Sequence, residues 1–216
     1  MGRYERNKRF SNVTKNIKLT REEKASLTIN RLLRAAAEAI SDRGFAGASV
    51  AIIAKKAQVA TGSFYTYFES REALLQAIIT AQSHELRRQI TAAVMVEAPF
   101  FVREERSFRQ YFRFVRSNPS FIRLQNEAEA FLPDAYEGIK REIINGYRRV
   151  LLKASKKGEI RTMKGVELDG VALFLIAAKH YYGQQYLALC DRNGEIPDRI
   201  VEIYMNFVRG GLEPSP

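Results

Sequence analysis

The chain has 216 residues, 46% of them hydrophobic, and 35 lysines and arginines against 24 aspartates and glutamates, so a globular protein of two units is expected. Its single cysteine, Cys190, excludes an internal disulfide framework and a cysteine zinc cluster, fits a reducing cytoplasm, and reads as a small buried apolar residue. The basic N-terminus lacks the apolar core of a signal peptide and no run of about 18 apolar residues occurs, so neither export by that route nor membrane spanning is expected.

In chain order, residues 1–19 are polar and aperiodic, with Arg3, Arg6, Lys8, Arg9, Lys15 and Lys18 against Glu5 alone. They read as a flexible basic arm. Residues 1–94 carry 16 basic and 8 acidic side chains, and residues 95–216 carry 19 and 16; the first half suits a polyanionic partner. Thr20-Arg-Glu-Glu23 has the spacing of a capping box and leads into a helix whose Leu32, Leu33, Ala36 and Ile40 share one face. Gly44 is a natural stop for it.

The stretch SVAIIAKKAQVATGSFYTYF over 49–68 predicts two short helices joined by a tight turn. Ser49 caps the first, Ala54 offers a small crossing surface, and Ile53, Ala57, Val59, Phe64 and Tyr67 form a miniature core. Thr61, Ser63, Tyr65 and Thr66 are left facing outward, suited to phosphates and base edges in a major groove. Gly62, costly inside a helix, fits a backbone that comes close to a DNA strand, and Arg71 is placed to grip a phosphate. On the miniature core alone, a packed helical corner with solvated hydroxyls stays open.

Ser70 opens a helix that runs to about residue 95, long enough to join two units. Helices follow at about 104–117, 120–131, 135–156, 167–189 and 197–209, separated by Pro119, Pro133, Lys156-Lys157-Gly158 and Asn193-Gly194. The chain is therefore all-α: an arm at 1–19, a helix-turn-helix unit at 20–69, a connecting helix at 70–95 and a helical domain at 96–216. No Gly-rich phosphate loop, histidine metal spacing or G-x-S-x-G motif occurs in the second half, so no enzyme, cofactor or metal is expected. His84 reads as a packed or surface residue, and the same reading applies to His180.

Leu32-Leu33-Arg-Ala-Ala36, Gly44-Phe45, Ser49, Ile53-Ala54, Ala57, Val59, Gly62-Ser63-Phe64-Tyr65, Tyr67-Phe68 and Ser70-Arg71-Glu72 with Leu74-Leu75 resemble the DNA-binding domain of the TetR family of bacterial transcriptional regulators. The resemblance covers about residues 27–78. It implies a homodimer with one recognition helix per subunit, about 60–66, on a palindromic operator. It also implies phosphate contacts from Tyr65 and Arg71 and base-edge contacts near Thr61, Ser63 and Thr66, with Ser49, Gly62 and Tyr67 completing the surface. Two positions depart from the family pattern. Gln58 stands where Gly is usual, at a cost on the order of 1 kcal/mol in a left-handed turn, and Ala60 stands where a capping Ser is usual, leaving Thr61 as a substitute cap.

Phe100, Phe101, Phe108, Tyr111, Phe112, Phe114, Phe121, Phe131 and Tyr136 crowd the start of the second half; most must be core. The resemblance implies an effector cavity there, assigned to Phe108, Tyr111, Phe112, Phe131, Tyr136, His180 and Tyr181 and suited to a lipophilic compound such as an acyl chain or aromatic acid. Arg109, Arg113, Arg116 and Arg123 pair either with an acidic head group or with acidic neighbours. The last two helices are expected to form a four-helix dimer interface through Leu173, Ile176, Gly183, Gln184, Leu187, Ile200, Tyr204 and Phe207, or else to close the monomer's own core. The expected function is a cytoplasmic, ligand-responsive repressor of an operator on double-stranded DNA. The alternative is a basic helical scaffold that binds RNA or an anionic membrane surface without sequence choice.

Overall fold

The computed structural model describes residues 20–95, 97–189 and 195–214, without the side chains of 186–189. The basic arm, Cys190, the Asn193-Gly194 turn and the Leu187 side chain lie outside the described residues. Nine helices run through the described residues: α1 (Arg21–Gly47), α2 (Val50–Ala57), α3 (Thr61–Phe64), α4 (Arg71–Val94), α5 (Phe100–Ser117), α6 (Phe121–Phe131), α7 (Pro133–Lys156), α8 (Gly165–Leu189) and α9 (Asp198–Leu212). Among those residues no helix is long and apolar enough to cross a membrane.

The helix boundaries follow from local chemistry. The Thr20 side chain accepts from the Glu23 amide while the Glu23 carboxylate accepts from the Thr20 amide at 2.7 Å, which completes the capping box. Ser49 and Ser70 cap α2 and α4 in the same manner, each accepting from an amide three residues on. Gly44 takes φ 74 and ψ 167, a conformation open mainly to glycine. The first helix kinks there instead of ending, and one further turn carries it to Gly47. Pro133 sits in the first turn of α7, where its missing amide costs nothing.

Gln58 closes α2 in the left-handed region at φ 58 and ψ 44, and the Val59 amide donates back to the Ala54 carbonyl at 3.0 Å. A side chain in that region carries strain that glycine lacks. Gln58→Gly is therefore expected to stabilise the protein by about 0.5–1 kcal/mol. Urea denaturation of the two proteins measures it, and a loss of stability would mean that the Gln58 side chain makes a compensating contact.

Two apolar cores result. The first gathers Leu32, Ala36, Ile40 and Phe45 of α1, Ile53 and Ala57 of α2, Phe64 of α3 and Leu74, Leu75, Ile78 and Ile79 of α4. It also takes in Leu124, Ala128 and Tyr136 from α6 and α7, so the helix-turn-helix core reaches beyond the sequence boundary at residue 95. The second core is built from α5, α7, α8 and α9 around Phe108, Phe112, Phe114 and Leu175. In it Phe108 stacks on Tyr204 with ring centroids 3.9 Å apart.

Candidate nucleic-acid interface and effector site

Residues 49–68 form the two short helices and tight turn, and Ile53, Ala57 and Phe64 are fully buried, with Val59 and Tyr67 packed against them. Ala60 precedes α3 with extended backbone and no side-chain cap. The expected substitute cap by Thr61 is not formed, because Thr61 is already the first helical residue. The helix is one turn long and passes into turns at 65–67, shorter than the span of 60–66.

On its outer side Thr61, Gly62, Tyr65 and Thr66 are exposed and Ser63 is half-buried. Tyr65 is 59% exposed, and its ring stands edge-on to Phe64 at 5.3 Å, which anchors the phenol at the surface. Around Gly62 no atom lies within 4 Å of a would-be Cβ, so its outer side is open to an approaching strand. Tyr67 is half-buried in the core, with only part of its surface available to a partner.

Arg71 departs from its expected role. Its guanidinium donates to the Phe45 and Ala48 carbonyls at 3.1 and 3.3 Å and lies 4.8 Å over the Phe45 ring. Carbonyls left open where α1 kinks and ends draw the cation inward, so Arg71 ties α4 to α1 in place of reaching outward to a phosphate. A cation that the sequence reading passed over is Lys55, exposed in the last turn of α2 with no ion pair among the described residues. Its neighbour Lys56 is held by Glu38 at 3.1 Å and Asp42 at 3.4 Å. Lys24, Arg31 and Arg34 are likewise unpaired on one stripe of α1; their spacing of seven and three residues was the readable signal.

The residues assigned to the effector cavity do not all meet. Phe108, Tyr111 and Phe112 are buried together. Phe131 lies outside that core with its ring 5.0 Å from Phe45, and Tyr136 belongs to the helix-turn-helix core. Helix α6 packs on α1 and takes Phe131 there, while the Tyr136 phenol at the start of α7 stays near enough to Tyr111 to add to the effect of burial on that phenol. Tyr181 is exposed on α8. His180 is half-buried, 3.1 Å from the Gln184 amide nitrogen, and burial lowers its pKa, which keeps it neutral.

A buried polar cluster was missed. Lys179 and Glu104, 3% and 4% exposed, pair at 2.8 Å. The Tyr204 hydroxyl donates to Glu104 at 2.6 Å, and Lys179 donates to Ser107 at 3.0 Å and to Tyr147. Burial alone would lower the Lys179 pKa, but the Glu104 carboxylate beside it raises it, so the lysine stays charged. Burial, reinforced by Glu104, pushes the Tyr204 phenol well up.

The dimer assignments also divide. Tyr204 is in the monomer's core, and Gly183 faces inward: its would-be Cβ lies 3.1 Å from Tyr111 and Ile122 atoms. Ile200 packs against the same core, and Ile176 is half-buried. Leu173, Phe174, Tyr181, Gln184 and Phe207 remain exposed on α8 and α9. Of the four arginines among the aromatics, Arg109 pairs with Glu105 and Asp198, Arg113 with Glu195 and Arg123 with Glu127, the acidic-neighbour reading.

Helix α6 links the two units. Arg123 donates to the Ser41 carbonyl at 2.6 Å, and Glu127 and Arg123 atoms lie 3.0 and 3.1 Å from the Gly44 Cβ position. A Cβ at 44 would meet only the movable ends of these two side chains, and the positive φ is what reserves the position for glycine.

A helix-turn-helix with an open polar face is carried by a larger all-helical unit. The model of the bacterial regulatory proteins, tetR family, matches residues 32–78, so the helix-turn-helix unit is that of this family. The uncharacterized HTH-type transcriptional regulator YdgC of Bacillus subtilis is 45% identical over 67 residues, 31% of this chain and 34% of that protein; the match thus spans about a third of the relative. Among solved structures, FadR of Bacillus subtilis in complex with stearoyl-CoA superposes with a TM-score of 0.68 at 18% identity, over 83% of this chain and 94% of that one. AibR in complex with isovaleryl coenzyme A and operator DNA gives 0.66 at 18%, over 83% and 97%. At such identity the likeness is one of fold.

Proposed function

We propose that the protein is a non-enzymatic, cytoplasmic transcriptional regulator that binds a palindromic operator as a homodimer and is released from it by a small lipophilic effector. The observation that carries the reading is the outer face of α3 and of the turn that follows it, where Thr61, Gly62, Tyr65 and Thr66 stand exposed over a closed core. Hydroxyls and a phenol grouped on one short segment suit phosphates and base edges. Lys55, and Lys24, Arg31 and Arg34 along α1, supply unpaired charge for the flanking backbone.

Two recognition helices of a symmetric dimer must stand about 34–36 Å apart to enter successive major grooves. An effector among α5 to α8 alters that spacing through two routes: the long α4, shared by both cores, and α6, whose Arg123 grips the end of α1. A coupling of about 1–3 kcal/mol weakens operator binding roughly 5- to 150-fold. The two neighbours crystallised with acyl-CoA molecules favour a fatty acyl compound as effector over an aromatic acid.

Selection of bound fragments from sheared genomic DNA at near-physiological salt tests this reading, with Tyr65→Ala as control. A shared palindrome is expected, with an affinity loss of about tenfold or more in the variant as one anchored phosphate or base contact disappears. Fragments without common sequence, held equally by the variant, would instead establish the basic scaffold.

A further inference from the structure

We propose that the Tyr111 hydroxyl and the Gln125 side-chain amide together recognise a neutral carbonyl oxygen on the effector; this rests on the effector reading above. Tyr111 of α5 and Gln125 of α6 are 7% and 5% exposed, and the Tyr111 hydroxyl and Gln125 Nε2 each lack a hydrogen-bond partner. Buried donors in folded proteins are nearly always paired, so two orphans on adjoining helices mark a place where an acceptor belongs.

The surroundings agree. The Tyr111 ring packs edge-on against Phe112 at 5.3 Å and Phe121 at 6.3 Å. Its hydroxyl lies 3.1 Å from where a Cβ of residue 183 would stand, so glycine there leaves it room. Gln125 follows Phe121 by one turn on the buried side of α6. Burial pushes the Tyr111 phenol up, and it remains a donor at neutral pH. The Gln125 Nε2 can only donate and the phenol can donate, so an acceptor is the group that satisfies both at once.

Charge decides which acceptor. Lys179, the buried cation of this unit, is already neutralised by Glu104. Arg123 is turned to the Ser41 carbonyl, and burial holds His180 neutral. None of these three groups could neutralise a free carboxylate placed here, and burying one uncompensated is strongly unfavourable. A thioester, ester or ketone carbonyl asks only for the two donors.

The position also explains how such a ligand is felt. Phe121 belongs to the sensor core and Leu124 and Ala128 to the helix-turn-helix core. Gln125 lies between them on α6. A ligand that draws Gln125 therefore pulls on the helix that holds Ser41 and Gly44.

The test uses the full-length protein, stearoyl-CoA and isovaleryl-CoA as thioesters, stearate and isovalerate as matched acids, and calorimetric titration with thermal unfolding. At least one thioester is expected to bind the wild type while its acid does not. Tyr111→Phe and Gln125→Met should unfold without ligand at or above the wild-type temperature, since the atoms removed have no partner. Each should weaken thioester binding by about three- to tenfold. Unchanged thioester affinity in both variants, equal binding of acid and thioester, or a lowered ligand-free melting temperature in Tyr111→Phe would overturn the carbonyl site and leave a lipophilic effector standing. If neither thioester nor acid binds the wild type, the lipophilic effector fails and the site with it.

Discussion

Lys179→Met is expected to destabilise the protein by about 3–5 kcal/mol, because it leaves the Glu104 carboxylate buried beside Tyr204 with no cation. The double variant Glu104→Leu with Lys179→Met should recover most of that loss or exceed the wild type, since an ion pair held in the interior gains little over apolar side chains of similar volume. Urea denaturation measures both effects. A single-variant cost under about 1 kcal/mol would show that water reaches Glu104.

The cluster has a structural consequence beyond its energy. Glu104 and Ser107 come from α5, Tyr147 from α7, Lys179 from α8 and Tyr204 from α9, so one set of directional bonds fixes the register of four helices. Apolar packing among Phe108, Phe112 and Leu175 would tolerate small slides; a Lys–Glu–Tyr arrangement tolerates few. The exposed face of α8 and α9 is thereby held in a defined relation to α5, on which Tyr111 stands.

What could be read from the chain was local. Thr20 with Glu23, Ser49, Ser70 and Pro133 act within one turn of their own positions, and the helices they open were legible from those residues alone. The miniature core was legible for the same reason: Ile53, Ala57 and Phe64 lie within a dozen positions, where helical periodicity fixes which side each side chain takes. Direction over longer distances was not legible. Arg71 has two plausible destinations, and the carbonyls of Phe45 and Ala48, 26 and 23 positions away, decide between them. Tyr204 reads as one more apolar position in the α9 stripe; its bond to Glu104, 100 positions away, shows that it points inward. Phe131 looked like part of the aromatic cluster because it was close to it in sequence, and the packing of α6 on α1 sets its ring against Phe45.

Phe174→Asp combined with Phe207→Asp is expected to convert the protein from dimer to monomer without unfolding it. Phe174 and Phe207 are 54% and 69% exposed, large rings on neighbouring helices that a single subunit leaves in water. Leu173 and Tyr181 are exposed on the same helix as Phe174, and a shallow hollow bordered by Gly170, Phe174, Phe207 and Gly211 joins α8 to α9. In a two-fold arrangement each substitution acts twice and brings carboxylates together across the axis, so four like charges would be desolvated. In the monomer the same carboxylates stay in water and cost little. Sedimentation at micromolar concentration should show one subunit mass for the variant and two for the wild type. Operator affinity should fall by about 10²- to 10⁴-fold, because the second recognition helix no longer binds as part of the same molecule. A variant that stays dimeric and keeps its affinity would place the subunit contact on another face, and a wild type that sediments as a monomer would remove the dimer altogether. Loss of DNA binding with dimerisation intact would point instead to α8 and α9 transmitting strain through Lys179 and Glu104 to the sensor core.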